Sequence, residues 1–265
     1  MSTSIKANKI YKADSSYNTI AKAAIVLLFI VGAAALWLIL KLGFNNPETS
    51  QFRLLPLLCI GLGAFLFYRG RQLSDQPSFK LTDDAVIIIE NKTRTERAIQ
   101  LKDITEQRTF HLGRGYYVEH LAFRKNENEE WYIIGAGIKE ANELIYRFKD
   151  AYLLNRLPIL QNMLESGKEV TFNMSSDNDI LKNKITALKA TDMLKGFKEI
   201  VTVNSEKINI KGKDYFFSDI QSVTFPSDGE IAVYSKTGDT LFTVYYLLIS
   251  NPELFVELLK SRLNN

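Results

Sequence analysis

Eighteen consecutive residues, Ala23 to Leu40, carry neither a charge nor a proline. At ~1.5 Å per residue they make a helix of ~27 Å, close to the thickness of a bilayer's hydrocarbon core. The run is apolar on every side, whereas a helix at the edge of a globular core shows one polar face. A secretory signal would have a shorter apolar stretch ending in small residues, but Ala33-Ala34-Ala35 leads into Leu36-Trp37-Leu38-Ile39-Leu40 and leaves no clean cleavage site. The run therefore reads as a membrane span. Lys22 and Lys41 stand at its two ends, where long stems lift an ammonium to the interface, and Trp37 lies near one boundary.

A second apolar run, Leu54 to Tyr68, has 15 uncharged residues between Arg53 and Arg69. It spans when both arginines snorkel and Phe52 is included. Pro56 falls in its first turn, where the missing N–H costs little. Gly61 and Gly63 are expected to allow close packing against the first helix. The connector holds Asn45-Asn46-Pro47, a turn signal. Lys6, Lys9, Lys12 and Lys22 before the pair, and Arg69, Arg71 and Lys80 after it, place both termini in the cytoplasm of a multi-pass protein of the inner membrane.

Charge supports this division of the chain. Of the 33 basic and 30 acidic residues, 7 and 2 fall within residues 1–70, while 71–155 and 156–265 each hold 13 and 14. The positive surplus belongs to the apolar segment and its flanks, so the rest lacks the basic face that nucleic-acid binding needs, and no nucleic acid is expected as partner. One cysteine, Cys59, excludes an intrachain disulfide and suits a reducing compartment.

After residue 73 the pattern becomes short, β-branched and turn-punctuated. Leu81–Glu90, Ile99–Arg108, Tyr116–Arg124 and Trp131–Ile134 read as strands, and Ile138–Leu153 then switches to helical spacing through Ala141, Leu144, Ile145, Phe148 and Tyr152. The order returns after residue 200. Val201–Ile210 and Tyr215–Val223 flank the turn Lys211–Asp214, and Ile231–Ser235 and Leu241–Tyr246 flank Thr237-Gly238-Asp239. Ser250-Asn251-Pro252-Glu253 then opens a helix, with a capping residue and proline at the first helical position. Lys102-Asp103-Ile104 corresponds to Ser218-Asp219-Ile220, which points to an internal repeat.

On Leu81-Thr-Asp-Asp-Ala-Val-Ile-Ile-Ile with Ile99-Gln-Leu-Lys-Asp-Ile-Thr-Glu-Gln, and on Val201–Ile210 with Tyr215-Phe-Phe-Ser-Asp-Ile-Gln-Ser-Val, the chain resembles bacterial membrane-anchored pleckstrin-homology-like (PH-like) proteins. The resemblance covers roughly 73–155 and 165–263. It implies an α+β protein, with an N-terminal two-helix transmembrane hairpin followed by two antiparallel PH-like domains, each closed by a C-terminal helix. The divisions are a cytoplasmic tail at 1–19, the hairpin at 20–70, the first domain at 73–155, a helical linker at 156–167, and the second domain at 168–265 with an insertion at 174–196. The insertion reads as a helix through Ile180, Leu181, Ile185 and Leu188.

Chemistry is sparse. His111 and His120 have only Glu119 as an obvious companion, short of the three or four ligands a metal needs. Cys59 lies in an apolar run with no base nearby. Trp131 to Glu140 contains Gly135-Ala136-Gly137, the opening of a dinucleotide fingerprint, but Glu140 occupies the third position and no βαβ unit follows. Asp83-Asp84 and Glu127 to Glu130 lie in turns. No catalytic residue, metal or cofactor is assigned. The one candidate site is basic: Lys92, Arg94 and Arg97 in the first hairpin, and Lys211 and Lys213 in the matching turn, where the resemblance implies contact with lipid phosphates. The expected activity is binding, with the bilayer and a membrane protein as partners. The alternatives are an accessory or immunity subunit acting through its helices, and an enzyme with an unrecognised site.

Overall fold

The computed structural model describes residues 9–44, 46–74, 76–111, 119–135, 137–175, 194, 197–225 and 229–263. The expected helix in 174–196 and the first three residues, 116–118, of the strand expected to end at Arg124 lie outside the described residues. The protein is mixed α+β, with four α-helices among the described residues and all its sheets antiparallel.

Helices α1 (Ser15–Leu42) and α2 (Leu55–Ser74) pack along each other. Both are long and apolar enough to cross a membrane, over Thr19–Leu42 and Thr49–Tyr68, and only 17% and 6% of an 18-residue window within each is buried. Core helices of a soluble protein hide their apolar surface; these display it. Gly43, at φ +90, donates its N–H to the Ile39 carbonyl and ends α1. A single 3-10 segment, Pro47–Phe52, follows, and the buried Thr49 hydroxyl donates to the carbonyl oxygens of Gly43 and Asn46 at 3.0 and 2.9 Å.

The helices meet at a different glycine from those expected. A Cβ on Gly61 or Gly63 would find nothing within 4 Å, whereas one on Gly32 would stand 3.2 Å from the Cys59 Cβ. For Gly61 the reason is rotational: Cys59 faces α1, and a residue two positions along is turned by ~200° to the far side. Gly63, one turn beyond Cys59, keeps that face but borders an open hollow between the helices.

The first unit holds strands β1 (Ile10–Tyr11), β2 (Ser78–Leu81), β3 (Ala85–Ile89) and β4 (Glu96–Gln100) in one four-stranded sheet, in that order. A 3-10 turn at Leu101–Asp103 breaks the strand expected over Ile99–Arg108. Strands β5 (Glu106–His111), β6 (Glu119–Arg124) and β7 (Tyr132–Ile134) then form a three-stranded sheet, and α3 (Ala141–Glu165) closes the unit. The second unit has the same succession. It runs through β8 (Val170–Ser175), β9 (Phe197–Val203), β10 (Lys207–Ile210) and β11 (Lys213–Phe216), a 3-10 turn at Phe217–Asp219, then β12 (Ile220–Thr224), β13 (Glu230–Ser235), β14 (Thr240–Tyr245) and α4 (Pro252–Leu263).

Two boundaries differ from those expected. Residues 1–19 are not all tail: Ile10 and Tyr11 pair with Lys80 and Phe79, and Tyr11 is 2% exposed. The apolar helices are thus inserted between the first and second strands of a sheet. In the second unit, residues 176–196 fall between β8 and β9, the corresponding connection. Residues 156–165 are no separate linker either, because α3 continues through Pro158 to Glu165. It ends where Gly167, at φ +75, donates to the Leu164 carbonyl and Lys168 donates to that of Met163.

One continuous core runs through both units. Phe79, Phe123, Phe148 and Tyr152 pack ring against ring in the first. Phe172 meets Phe255 edge-on at 5.1 Å in the second. The last turns of α3 bury Leu160 and Leu164, so the long helix serves both units.

Candidate functional site

Lys92 and Arg94 lie in the turn between β3 and β4, closed where the Arg94 N–H, at φ 55, donates to the Glu90 carbonyl at 2.8 Å. The turn is fastened to the chain emerging from α2. Ser78 pairs with Ile89, its hydroxyl donates to Asn91 Oδ1 at 2.9 Å, and the Asn91 amide donates to the Gln76 carbonyl. Arg97 is drawn away from the other two. Its guanidinium donates to the Tyr132 hydroxyl at 2.8 Å and to Glu129 at 3.0 Å, which fixes β4 to the β7 side. Lys211, at φ 53, and Lys213 belong to the other four-stranded sheet: Lys211 lies 3.4 Å from Glu199 and Lys213 lies over the Tyr215 ring at 5.0 Å.

The stretch from Gly135 to Glu140 gathers the ends of both apolar helices. Asp14 donates its N–H to the Gly137 carbonyl at 2.8 Å, Lys139 donates to Lys12 at 2.9 Å, and Ala13 bridges Ile138. A Cβ on Gly137 would collide with the Gln76 side chain, and one on Gly135 with the His120 ring. At both positions the missing side chain is what lets a neighbour approach. Lys9 bonds Glu140 and Glu143, Tyr11 donates to Glu143 at 2.9 Å, and Arg147 donates to the Tyr11 hydroxyl at 3.0 Å. The Lys9 ammonium holds the Glu143 carboxyl below its ordinary range. Burial, aided by Glu143, raises the Tyr11 phenol. The entrance to α1, the exit from α2 and the Lys92–Arg94 turn therefore share one end of the first sheet.

Sequence reasoning missed a buried polar seam between the units. Glu106, almost without exposure, bonds Arg108, Arg124 and, at 3.1 Å, the Asn173 amide of the second unit. Burial works to raise its carboxyl, but the Arg108 charge and the surrounding donors outweigh it and the net shift is downward. Burial lowers the Arg108 guanidinium to about 10 against the pull of Glu106. Both guanidiniums stack on Trp131, at 5.0 and 4.4 Å. Asn251 joins the units a second time. Its Oδ1 accepts from the Gln107 N–H at 2.7 Å and the Tyr152 hydroxyl at 3.1 Å, and its amide donates to Thr105 at 3.1 Å. Lys149 joins them a third time, bonding Glu119, Tyr246 and, at 3.1 Å, Glu253. Burial, then the Glu253 charge, pushes the Tyr246 phenol far up. The one visible signal is Glu106-Gln107-Arg108-Thr109, four consecutive polar residues where a strand would alternate.

Among the described residues no three His, Cys, Asp or Glu side chains converge as a metal site, and the His111 side chain lies outside them. His120 is buried and stacks on Phe110 at 5.4 Å. Cys59 is buried between the helices, against Gly32. Comparison with protein-family models matches none to the chain, and comparison with curated proteins finds no match either.

Proposed function

We propose that the protein is a membrane-tethered binding or scaffold protein. Its two apolar helices form a transmembrane hairpin, and its two sheet units, PH-like in the succession of four strands, three strands and a closing helix, engage an anionic lipid surface or a membrane protein from the cytoplasm. The observation that carries this reading is the pairing of Ile10–Tyr11 with Phe79–Lys80 across the helices. Strands in one sheet lie on one side of a bilayer, so a chain that leaves after the first must return before the second. Two spans satisfy this; one does not.

The same pairing orients the first unit. The Lys92–Arg94 turn lies at the end where the helices attach, and a cation there adds ~1 kcal/mol of attraction to anionic lipid. Tethering then holds both units at high local concentration beside a membrane partner. The test uses the full chain in nanodiscs, in a Cys59→Ala background, with a dye on a Thr93→Cys or an Asp83→Cys variant and a quencher on the headgroups. Quenching is expected at 93, stronger in phosphatidylglycerol than in phosphatidylcholine and reduced by Lys92→Glu with Arg94→Glu, but not at 83, at the opposite end of the sheet. Quenching at 83, or at neither position, overturns the orientation.

A further inference from the structure

The helix pair leaves a furrow along its seam. Gly32, Ala33, Gly63 and Ala64 line it with Phe29 and Ile60, and it holds about 410 Å³. Leu36 and Pro56 line it too, and they also line a second hollow of about 380 Å³ that ends at Gly43, Phe44 and Arg53. Each volume is in the range of a ligand site, ~300–1,000 Å³. The two hollows adjoin at Leu36 and Pro56, the first with an apolar lining and the second bordered by a cation.

That cation is unusual in its surroundings. The Arg53 guanidinium lies over the Phe44 ring at 5.0 Å, and its Nε is shut off from solvent with no hydrogen-bond partner among the described residues. A buried donor left unmet costs about 1–3 kcal/mol, more on a charged group. Arg53 stands two positions before α2, at the connector end of the apolar stretches, the depth at which headgroup phosphates lie. A guanidinium fork matches a phosphate, and the furrow beneath it matches a hydrocarbon chain.

We propose that this furrow is a binding site for one phospholipid of the leaflet on the connector side, with an acyl chain along the Gly32–Gly63 seam and the phosphate on Arg53. The inference rests on the transmembrane reading above. A helix from another protein would also cover an apolar furrow, but it would have to bring an anion to the level of Arg53. Every phospholipid carries one there.

The full chain is purified in mild detergent and its retained lipid is measured by native mass spectrometry, with dioleoylphosphatidylglycerol or with diolein, which has the same chains and no phosphate. One phosphatidylglycerol per chain is expected, with diolein held about tenfold more weakly. Arg53→Gln brings the two lipids level, Arg53→Lys retains a preference, and Gly63→Leu, whose side chain enters open space, displaces both. Equal retention of the two lipids by the native chain, indifference to Gly63→Leu, or a dimer mass abolished by Gly63→Leu in place of bound lipid overturns the site. Alkaline carbonate extraction is run on each variant. A chain that carbonate releases refutes the anchor and the site together, whereas a chain that stays in the membrane without retaining phosphatidylglycerol refutes the site alone.

Discussion

Glu106 shows how much one side chain can decide. It is a carboxylate removed from water between two guanidiniums and an amide that belong to both units. Taking away one partner of a buried pair leaves the other charge uncompensated, which costs ~3–5 kcal/mol. Glu106→Gln is therefore expected to lower the Tm of the full chain in detergent by several degrees at neutral pH. Because the native carboxyl lies below its ordinary value of 4.5, its contribution is complete above that value and is lost as the pH falls through the native one. The native chain should lose more Tm between pH 6 and pH 3.5 than Glu106→Gln does, and an equal loss in both would show that the carboxylate titrates elsewhere. Arg108 and Arg124 were visible in the sequence only as ordinary strand charges. Nothing local says that their partner is buried.

At the scale of elements, the apolar pair was legible because its signal needs no partner: uninterrupted hydrophobic length identifies a helix whatever it touches. The rotation of one helix against the other was not legible. Gly61 and Gly63 looked like the contact, and Gly32 makes it, because helix faces are assigned only when two surfaces meet. Gly32→Leu would push Cys59 away at a cost of ~1–3 kcal/mol, whereas Gly61→Leu enters open space and should cost little. Cysteine crosslinking between Phe29→Cys and the native Cys59, both of which line the furrow, reports the spacing. Yield should fall in Gly32→Leu and hold in Gly61→Leu; the reverse order would move the contact to the far face of α2. The strands followed the same division. Leu81–Glu90 was readable from its β-branched residues as a strand or a strand pair turning at Asp83-Asp84, and two strands meet there, while the 3-10 turn at Leu101–Asp103 interrupted a run that alternation alone would have continued.

The whole molecule depends on Tyr11. It is buried in the core of the first unit, next to a strand more than sixty residues later in the chain, with the two helices between. Truncation to alanine removes a ring from a packed core, at ~3–5 kcal/mol by analogy with other aromatic deletions. Tyr11→Ala should lower the urea midpoint of the full chain in detergent by a matching amount, and a fragment starting at residue 73 should be destabilised at least as much, since it lacks both Tyr11 and β1. An unchanged midpoint in both would make β1 dispensable. Because one large core cluster runs through both units by way of Leu160 and Leu164 of α3, the two units are expected to unfold together, in one urea transition rather than two.

Local chemistry alone determined that two stretches are apolar enough to enter a membrane, that β-branched runs between turns form strands, and that each group of strands is followed by an amphipathic helix. Those features act between near neighbours and can be read one window at a time. Folding in space had to decide that residues 10 and 11 complete a sheet begun at residue 78, that Gly32 is the contact, and that Glu106, Asn173 and Asn251 tie the units together. Each of these joins groups far apart in the chain, and their free energy comes from burial and register that exist only once the distant surfaces have met.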